Sequence, residues 1–453
     1  FKQKTAYEIG VRLVGSEMCI RDRSNIILAQ VNIGSNRFFV YEENDSLSLP
    51  YYSNYSLNEY NNHTKLAIIY LHGANRNADD YYNNIFAIVN ATGNMDSTII
   101  IAPQFLRSQD LSNDNLTDDV FFWTNTTNWT AGYLSGNTSS DTRPFRISSY
   151  AIIDSLLHQI ALNNPMLEQI VFAGFSAGGQ FVNRYIGGNN ITEFLFSEFS
   201  VPIRFIIGSP SSYLYMNNER RVAGSTDQFD IPSGCSGYNE YKYGLDDLNS
   251  YMSLAGVDSI RSRYERRNVV YLVGSSDDGG TTDCASETQG NNRYERSIIY
   301  YNYLQYYFGN QIVNNHQHAV IPNMDHDNYY VFNSSCGRKA IFGNGNCNEL
   351  DFLNTNYSQI TNEFTITYNF PNPFNAITKI YYETHTTNDI YINIYNILGD
   401  HVKEFKIQNQ APGNHSAIWD GTNHFNKDLS SGVYVYQIRI DETIAKNKMI
   451  MLK

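Results

Sequence analysis

Residues Ile170-Val-Phe-Ala-Gly-Phe-Ser-Ala-Gly-Gly-Gln180 decide the fold. An apolar run enters Gly174-Phe175-Ser176-Ala177-Gly178, which has the Gly-X-Ser-X-Gly form, and residues 179–186 suit a helix. Strand, sharp turn and helix in that order make a nucleophile elbow. Its glycines leave room where a Cβ would strike neighbouring backbone, and the turn lifts Ser176 Oγ above the sheet. The helix behind it points its positive end at charge developing there. Ser176 is the expected nucleophile.

Around this stretch, residues 31–343 alternate short apolar runs with longer helical segments. Strands are expected at 66–71, 98–102, 170–173, 203–207 and 269–273, each apolar on both faces. Such runs suit a mostly parallel sheet covered by helices on both sides. Residues 149–163 place Ile152, Ile153, Leu156, Leu157 and Ile160 at helical spacing. The order strand, helix, strand predicts an α/β fold with right-handed crossovers.

A serine nucleophile needs an oxyanion hole, a base and an acid. The backbone N–H of Ala177 is one expected donor. The loop ending Ile68-Ile-Tyr-Leu-His-Gly-Ala-Asn75 supplies the other, from Ala74 or Gly73, with His72 expected to be buried and structural. Chain order in such sites is Ser, then acid, then His. His316, His318 and His326 come late enough. The first two flank Gln317 on what should be one face of a strand. As a metal pair they lack a third ligand at suggestive spacing. His326 lies in the loop Pro322-Asn-Met-Asp-His-Asp-Asn328 and is the expected base. For the acid, the strand at 269–273 runs into Ser275-Ser-Asp-Asp278, making Asp277 the first choice, Asp278 the second and Asp283 the third. Calcium binding by this acidic loop is the rival reading, but its spacing fits no EF-hand. Trp123, Trp129 and Tyr133 lie in an aromatic insertion, 121–133, that either lines a substrate groove or packs its own loop.

With these residues in place, residues 65–343 resemble the serine α/β-hydrolase superfamily, and more narrowly a group of secreted hydrolases of fungi and bacteria. The matching pieces are His72-Gly73, Ser148-Ser149, the elbow itself and Ser209-Pro-Ser-Ser-Tyr213. Further along are Tyr238-Asn-Glu-Tyr-Lys-Tyr-Gly244, Gln289-Gly-Asn-Asn-Arg-Tyr-Glu-Arg296 and Asp325-His-Asp327. The resemblance implies Ser176, Asp277 and His326 as a triad. Asn323-Met324 departs from it, standing where glycines are expected.

Beyond residue 363 the chain becomes a series of short alternating strands, expected at 365–368, 378–382, 390–395, 416–419 and 432–440, as in a small all-β sandwich. Tyr368-Asn-Phe-Pro-Asn-Pro-Phe-Asn375, Ile394-Tyr-Asn-Ile-Leu-Gly399, Trp419-Asp-Gly421 and Ser431-Gly-Val-Tyr434 resemble the type A sorting domain of the type IX secretion system. That resemblance implies export and a secreted or cell-surface location, with the secretion machinery as partner through residues 364–453.

The chain has 453 residues and a net charge of −13. The charge argues against nucleic acid or an anionic membrane as the main partner. No apolar run is long enough to span a bilayer. Residues 1–23 carry no capping or turn signal and resemble translated sequencing-adaptor read-through, and 24–30 read as the remnant of a secretory signal closing at Ala29. Setting Cys19 aside with that segment leaves Cys235, Cys284, Cys336 and Cys347. Four cysteines in an exported domain suit two disulfides, and Cys235–Cys284 with Cys336–Cys347 is the favoured pairing. The expected organisation is a catalytic domain at 31–343, a linker at 344–363 and the sorting sandwich at 364–453. The expected chemistry is ester hydrolysis without metal or cofactor, on small, aryl or polymeric esters. Cleavage of amides by the same triad and a non-catalytic binding role are the alternatives.

Overall fold

A computed structural model describes residues 31–350 except 114–115 and 125–127, and residues 368–452 except 385–386, 397–398 and 441–442. Residues 1–23, expected to be adaptor read-through, residues 24–30, expected to be a signal remnant, and most of the expected linker lie outside the described residues.

Eight strands form one sheet. They are β1 (Asn36–Glu42), β2 (Asp45–Ser53), β3 (Leu66–Leu71), β4 (Thr98–Pro103), β5 (Gln169–Phe175), β6 (Ile203–Gly208), β7 (Asn268–Gly274) and β8 (His316–Ile321). Their order is β1-β2-β4-β3-β5-β6-β7-β8. From β4 to β8 every pair is parallel. The first two strands pair antiparallel with each other and with β4. They escape the sequence reading because β1 is half polar (Asn36, Arg37, Glu42) and exposed along one side.

Alternation along the central strands divides the core into two layers. Ile69, Leu71 and Phe172 face a cluster with Tyr150, Leu156, Phe181 and Tyr300. Ile68, Tyr70 and Val171 face the other way, against Ile85, Val331, Phe332 and Ile341. Continuous apolar strands are what a sheet buried on both faces requires. The helices include α1 (Ala78–Ala91), α2 (Ser149–Asn163), α3 (Ala177–Gly188), α4 (Val257–Arg266) and α5 (Arg293–Phe308). All five apolar positions expected to form the buried stripe of α2 are buried, and Ser148 caps the helix by accepting from the Tyr150 N–H.

Two disulfides, Cys235–Cys284 and Cys336–Cys347, join pairs whose Cα atoms lie 5.9 and 4.9 Å apart. This is the favoured pairing.

Residues 368–452 are all β, in a three-stranded and a five-stranded sheet. Ile390, Ile392, Ile394, Trp419, Tyr436 and Met451 fill the space between them. Trp419 and Tyr434 meet edge-to-face at 5.1 Å, as their assignment to the core expects. His401–Gln410 and Thr443–Leu452 are strands that the sequence reading did not pick out. Charged residues interrupt their apolar alternation.

Candidate functional site

The carboxyl ends of β3, β5, β7 and β8 lie on one edge of the sheet, and each carries a site residue at or just beyond its end. In open α/β sheets this edge is where ligands bind. β5 delivers Ser176 at φ 57° and ψ −116°, a left-handed conformation that costs energy for a residue with a Cβ. Packing enforces it. A Cβ on Gly174 would lie 2.3 Å from the Gly178 backbone, and one on Gly178 would lie 2.3 Å from the Leu71 carbonyl oxygen. Strand β5, helix α3 and the end of β3 are therefore in backbone contact at the turn. The Ser176 N–H donates to the Gly208 carbonyl at 2.9 Å, which anchors the turn to β6. Ala177 opens α3, and the N–H groups of a first helical turn have no partner within the helix.

The expected oxyanion loop follows β3. A Cβ on Gly73 would sit 3.7 Å from Ser176 Cβ, so this peptide runs beside the nucleophile. His72 is fully buried. Its Nε2 accepts from the Phe105 N–H at 2.9 Å, which leaves the proton on Nδ1 to donate to the Gly73 carbonyl at 2.8 Å. Burial pushes this histidine down to about 4, so the ring is neutral. The Arg76 N–H donates to the same carbonyl at 3.2 Å. In a trans peptide the N–H points opposite to the C=O. With the Gly73 carbonyl held from one side, the Ala74 N–H is directed to the other. His72 is thus buried, as expected, and it holds the Gly73 peptide in place.

On the other side of the site, His326 Nδ1 and Asp277 Oδ2 are 2.7 Å apart. The Asp277 side chain is fully buried. Burial alone would raise its carboxyl, but the hydrogen bond and charge of His326 and the charge of Arg293 outweigh burial and hold it below the ordinary range. Arg293 Nη1 donates to the second carboxylate oxygen at 3.0 Å. The His326 ring packs on Phe175, the residue before Ser176, with centroids 4.7 Å apart. Among the described residues no hydrogen bond joins Ser176 Oγ to His326. Such bonds commonly tighten only when substrate is bound.

The base loop crosses close over β7, where a Cβ on Gly274 would fall 2.3 Å from the Met324 carbonyl oxygen. Asn323 adopts φ 56° in this loop. A glycine is expected there, and asparagine is among the few residues that tolerate the left-handed region. The competing acids are accounted for. Asp278 is exposed, and Asp283 caps a short helix by accepting from the Ser286 N–H and Oγ at 2.9 and 2.8 Å. His316 and His318 lie on β8 with separate partners. His316 is held between the Tyr271 hydroxyl and the Tyr264 carbonyl at 2.9 and 2.7 Å, and His318 meets Ser297 Oγ at 3.0 Å.

The groove expected from the aromatic insertion needs correction. Trp123 is fully buried, with its indole N–H donating to the Tyr133 carbonyl at 3.2 Å. Trp129 is 3% exposed, stacks on Phe105 at 5.1 Å and packs on His72 at 4.8 Å. Neither indole has surface to offer a substrate. Trp129 packs behind His72, and Trp123 packs edge-on against Phe105 at 5.1 Å. Tyr133 is half-buried and keeps an exposed edge.

Residues 369–452 match the family model of the secretion system C-terminal sorting domain. The chain is therefore a secreted or cell-surface protein. Among the described residues no helix is long and apolar enough to cross a membrane. No curated protein matches the chain. Solved structures with similarity include poly(aspartic acid) hydrolase-1 from Sphingomonas sp. KT-1, at 19% identity and TM-score 0.41, over 65% of this chain and 94% of that one. The siderophore hydrolase EstA from Aspergillus nidulans aligns at 9% identity and TM-score 0.33, over 72% of this chain and 97% of that one. Dimeric latent PorU from Porphyromonas gingivalis aligns over 21% of this chain and 10% of that one, at 19% identity and TM-score 0.18.

Proposed function

We propose that this protein is an extracellular serine hydrolase of the α/β-hydrolase fold that cleaves carboxylic esters through Ser176, His326 and Asp277. One observation carries the reading. A serine held at φ 57° on a strand-to-helix turn shares a sheet edge with His326, which lies 2.7 Å from the buried Asp277 and whose imidazole packs on the residue preceding that serine.

The chemistry follows from the atoms. His326 uses Nδ1 to hold Asp277, leaving Nε2 to take the proton of Ser176 Oγ as it attacks the ester carbonyl. The carbonyl oxygen becomes an oxyanion, stabilised by the N–H of Ala177 and by that of Ala74 or Gly73. Asp277, kept ionised by its partners, stabilises the imidazolium. The alkoxide or aryloxide leaves with the proton from Nε2, giving an acyl-Ser176 ester. Water, deprotonated by His326, then attacks that ester and releases the carboxylic acid. No step calls on a metal or cofactor. The half-buried Tyr133 is the remaining aromatic candidate for substrate contact. Export through the type IX machinery by residues 364–453 would bring the site to small, aryl or polymeric esters outside the cell.

Hydrolysis of p-nitrophenyl acetate and butyrate by wild type and S176A tests the reading. The expected result is ester cleavage by wild type and a loss of kcat of about 10⁴-fold or more in S176A. Undiminished activity in S176A would overturn it. Wild type that cleaves peptide anilides but no ester would move the assignment to an amidase.

A further inference from the structure

The stretch Gln289–Arg296, singled out in the sequence without a role, runs along the acid loop. Asn292 caps helix α5 by accepting from the Glu295 N–H at 2.8 Å, and Arg293 and Arg296 project from its first turn. Arg296 is fully buried and spends its guanidinium on backbone carbonyls: Ser211 and Thr281 at 2.7 Å each, and Gly290 at 2.8 Å. Arg293 does something different. Its Nη1 donates to Asp277 Oδ1 at 3.0 Å and its Nε to Ser211 Oγ at 3.2 Å, while its backbone N–H donates to the Gly279 carbonyl at 2.9 Å. The loop is bare where the guanidinium groups pass. A Cβ on Gly279 would lie 2.8 Å from Arg293 Nη1, and one on Gly280 2.8 Å from Arg296 Nη1.

Asp277 therefore has one oxygen on His326 and the other on Arg293, inside the protein and away from water. From these contacts we propose that Arg293 is the positioning residue of the acid: it fixes the carboxylate plane so that Oδ2 stays on His326, and keeps a buried carboxylate charged by pairing it. The proposal rests on the triad reading and deepens it. A carboxylate bonded through one oxygen alone could rotate away, and Arg293 holds the second oxygen at 3.0 Å.

The experiment compares R293K, R293Q and wild type on p-nitrophenyl butyrate, with thermal melts to check folding. The expected result for R293Q is a fall in kcat of about 10- to 100-fold with KM within about 2-fold of wild type. R293K, which keeps the charge, recovers most of kcat. A folded R293Q with unchanged kcat, a loss confined to KM, or no recovery in a folded R293K overturns the proposal. Should R293Q not fold, S211A removes only the Nε anchor; kcat lowered about 2- to 5-fold at constant KM supports the proposal, and unchanged kcat contradicts it. S176A separates the two levels. An inactive S176A beside a wild-type-like R293Q removes Arg293 alone, whereas an active S176A removes the triad.

Discussion

The two halves of the site are built by different means. The half around Ser176, the proposed nucleophile, is backbone. Ser176 is held by a strained turn, by glycines that let strand, helix and neighbouring strand touch, and by peptide groups at His72, Gly73 and Gly208. The acid–base half is side chain. Asp277, His326 and Arg293 come from three separate elements and are registered by hydrogen bonds between them. A backbone device leaves a local pattern of residue types. A side-chain device leaves only its members, scattered along the chain.

The halves should fail differently. Next to S176A, the largest expected effect is in the side-chain half: D277N lowers kcat by about 10³- to 10⁴-fold while leaving the melting temperature within a few degrees, because an amide fits the same space but cannot hold the imidazole in its working tautomer. D278N, altering an exposed neighbour, stays within about 2-fold. Equal losses in both variants would mean that the acid is shared by the loop.

Acidity reaches both halves. His72 and His316 are fully buried, and burial pushes each down to about 4. In the unfolded chain each takes up its proton near pH 6.5, so the unfolded state binds more protons between these values. Stability present above pH 6.5 is lost as pH falls toward 4, by on the order of 3 kcal/mol for each residue at most. Thermal melts should therefore drop through that window. A melting temperature constant from pH 6.5 to 4 would contradict neutral, buried imidazoles at these positions.

Next in size is the elbow itself. The methyl group of G178A would meet carbonyl oxygens of Leu71 and His72 at 2.3 and 2.8 Å, and neither can move without shifting β3. A destabilisation of about 1–3 kcal/mol is expected, read from denaturant unfolding. The smallest effect belongs to G279A, whose methyl group meets the flexible end of Arg293 at 2.8 Å. Stability should barely change there, with kcat down a few-fold as the guanidinium is displaced. Reversal of these two outcomes would erase the distinction between the halves.

The same distinction explains what could be read from the chain. The strand-to-helix turn at Ser176 and the five central strands were legible because apolar runs and glycine spacing are local. Preferring His326 to His316 and His318 rested on context, a loop position against alternating strand positions. Asp277 before Asp278 was an ordering; in the structure Asp277 turns inward and Asp278 is exposed. Arg293 lay in a stretch already noticed, yet no spacing connects it to an acid 16 residues earlier on another element. For Trp123 and Trp129 the sequence left groove lining and loop packing both open, because large aromatics serve both surfaces and cores. Only the packing of Trp129 against Phe105 and His72 shows that they belong to the core. The sorting domain was the most legible region, through ordered motifs around Trp419 and Tyr434 that coincide with its buried aromatic pair.

The central claim is that Ser176 is an activated nucleophile, and covalent labelling tests it most directly. The intact protein is treated with a fluorophosphonate and the adduct is mapped by peptide mass spectrometry. The account predicts a single adduct on the peptide containing Ser176, absent in S176A and formed at least about 10²-fold more slowly in H326A. An ester-hydrolysing protein that remains unlabelled, or that is labelled at a different serine, would contradict it.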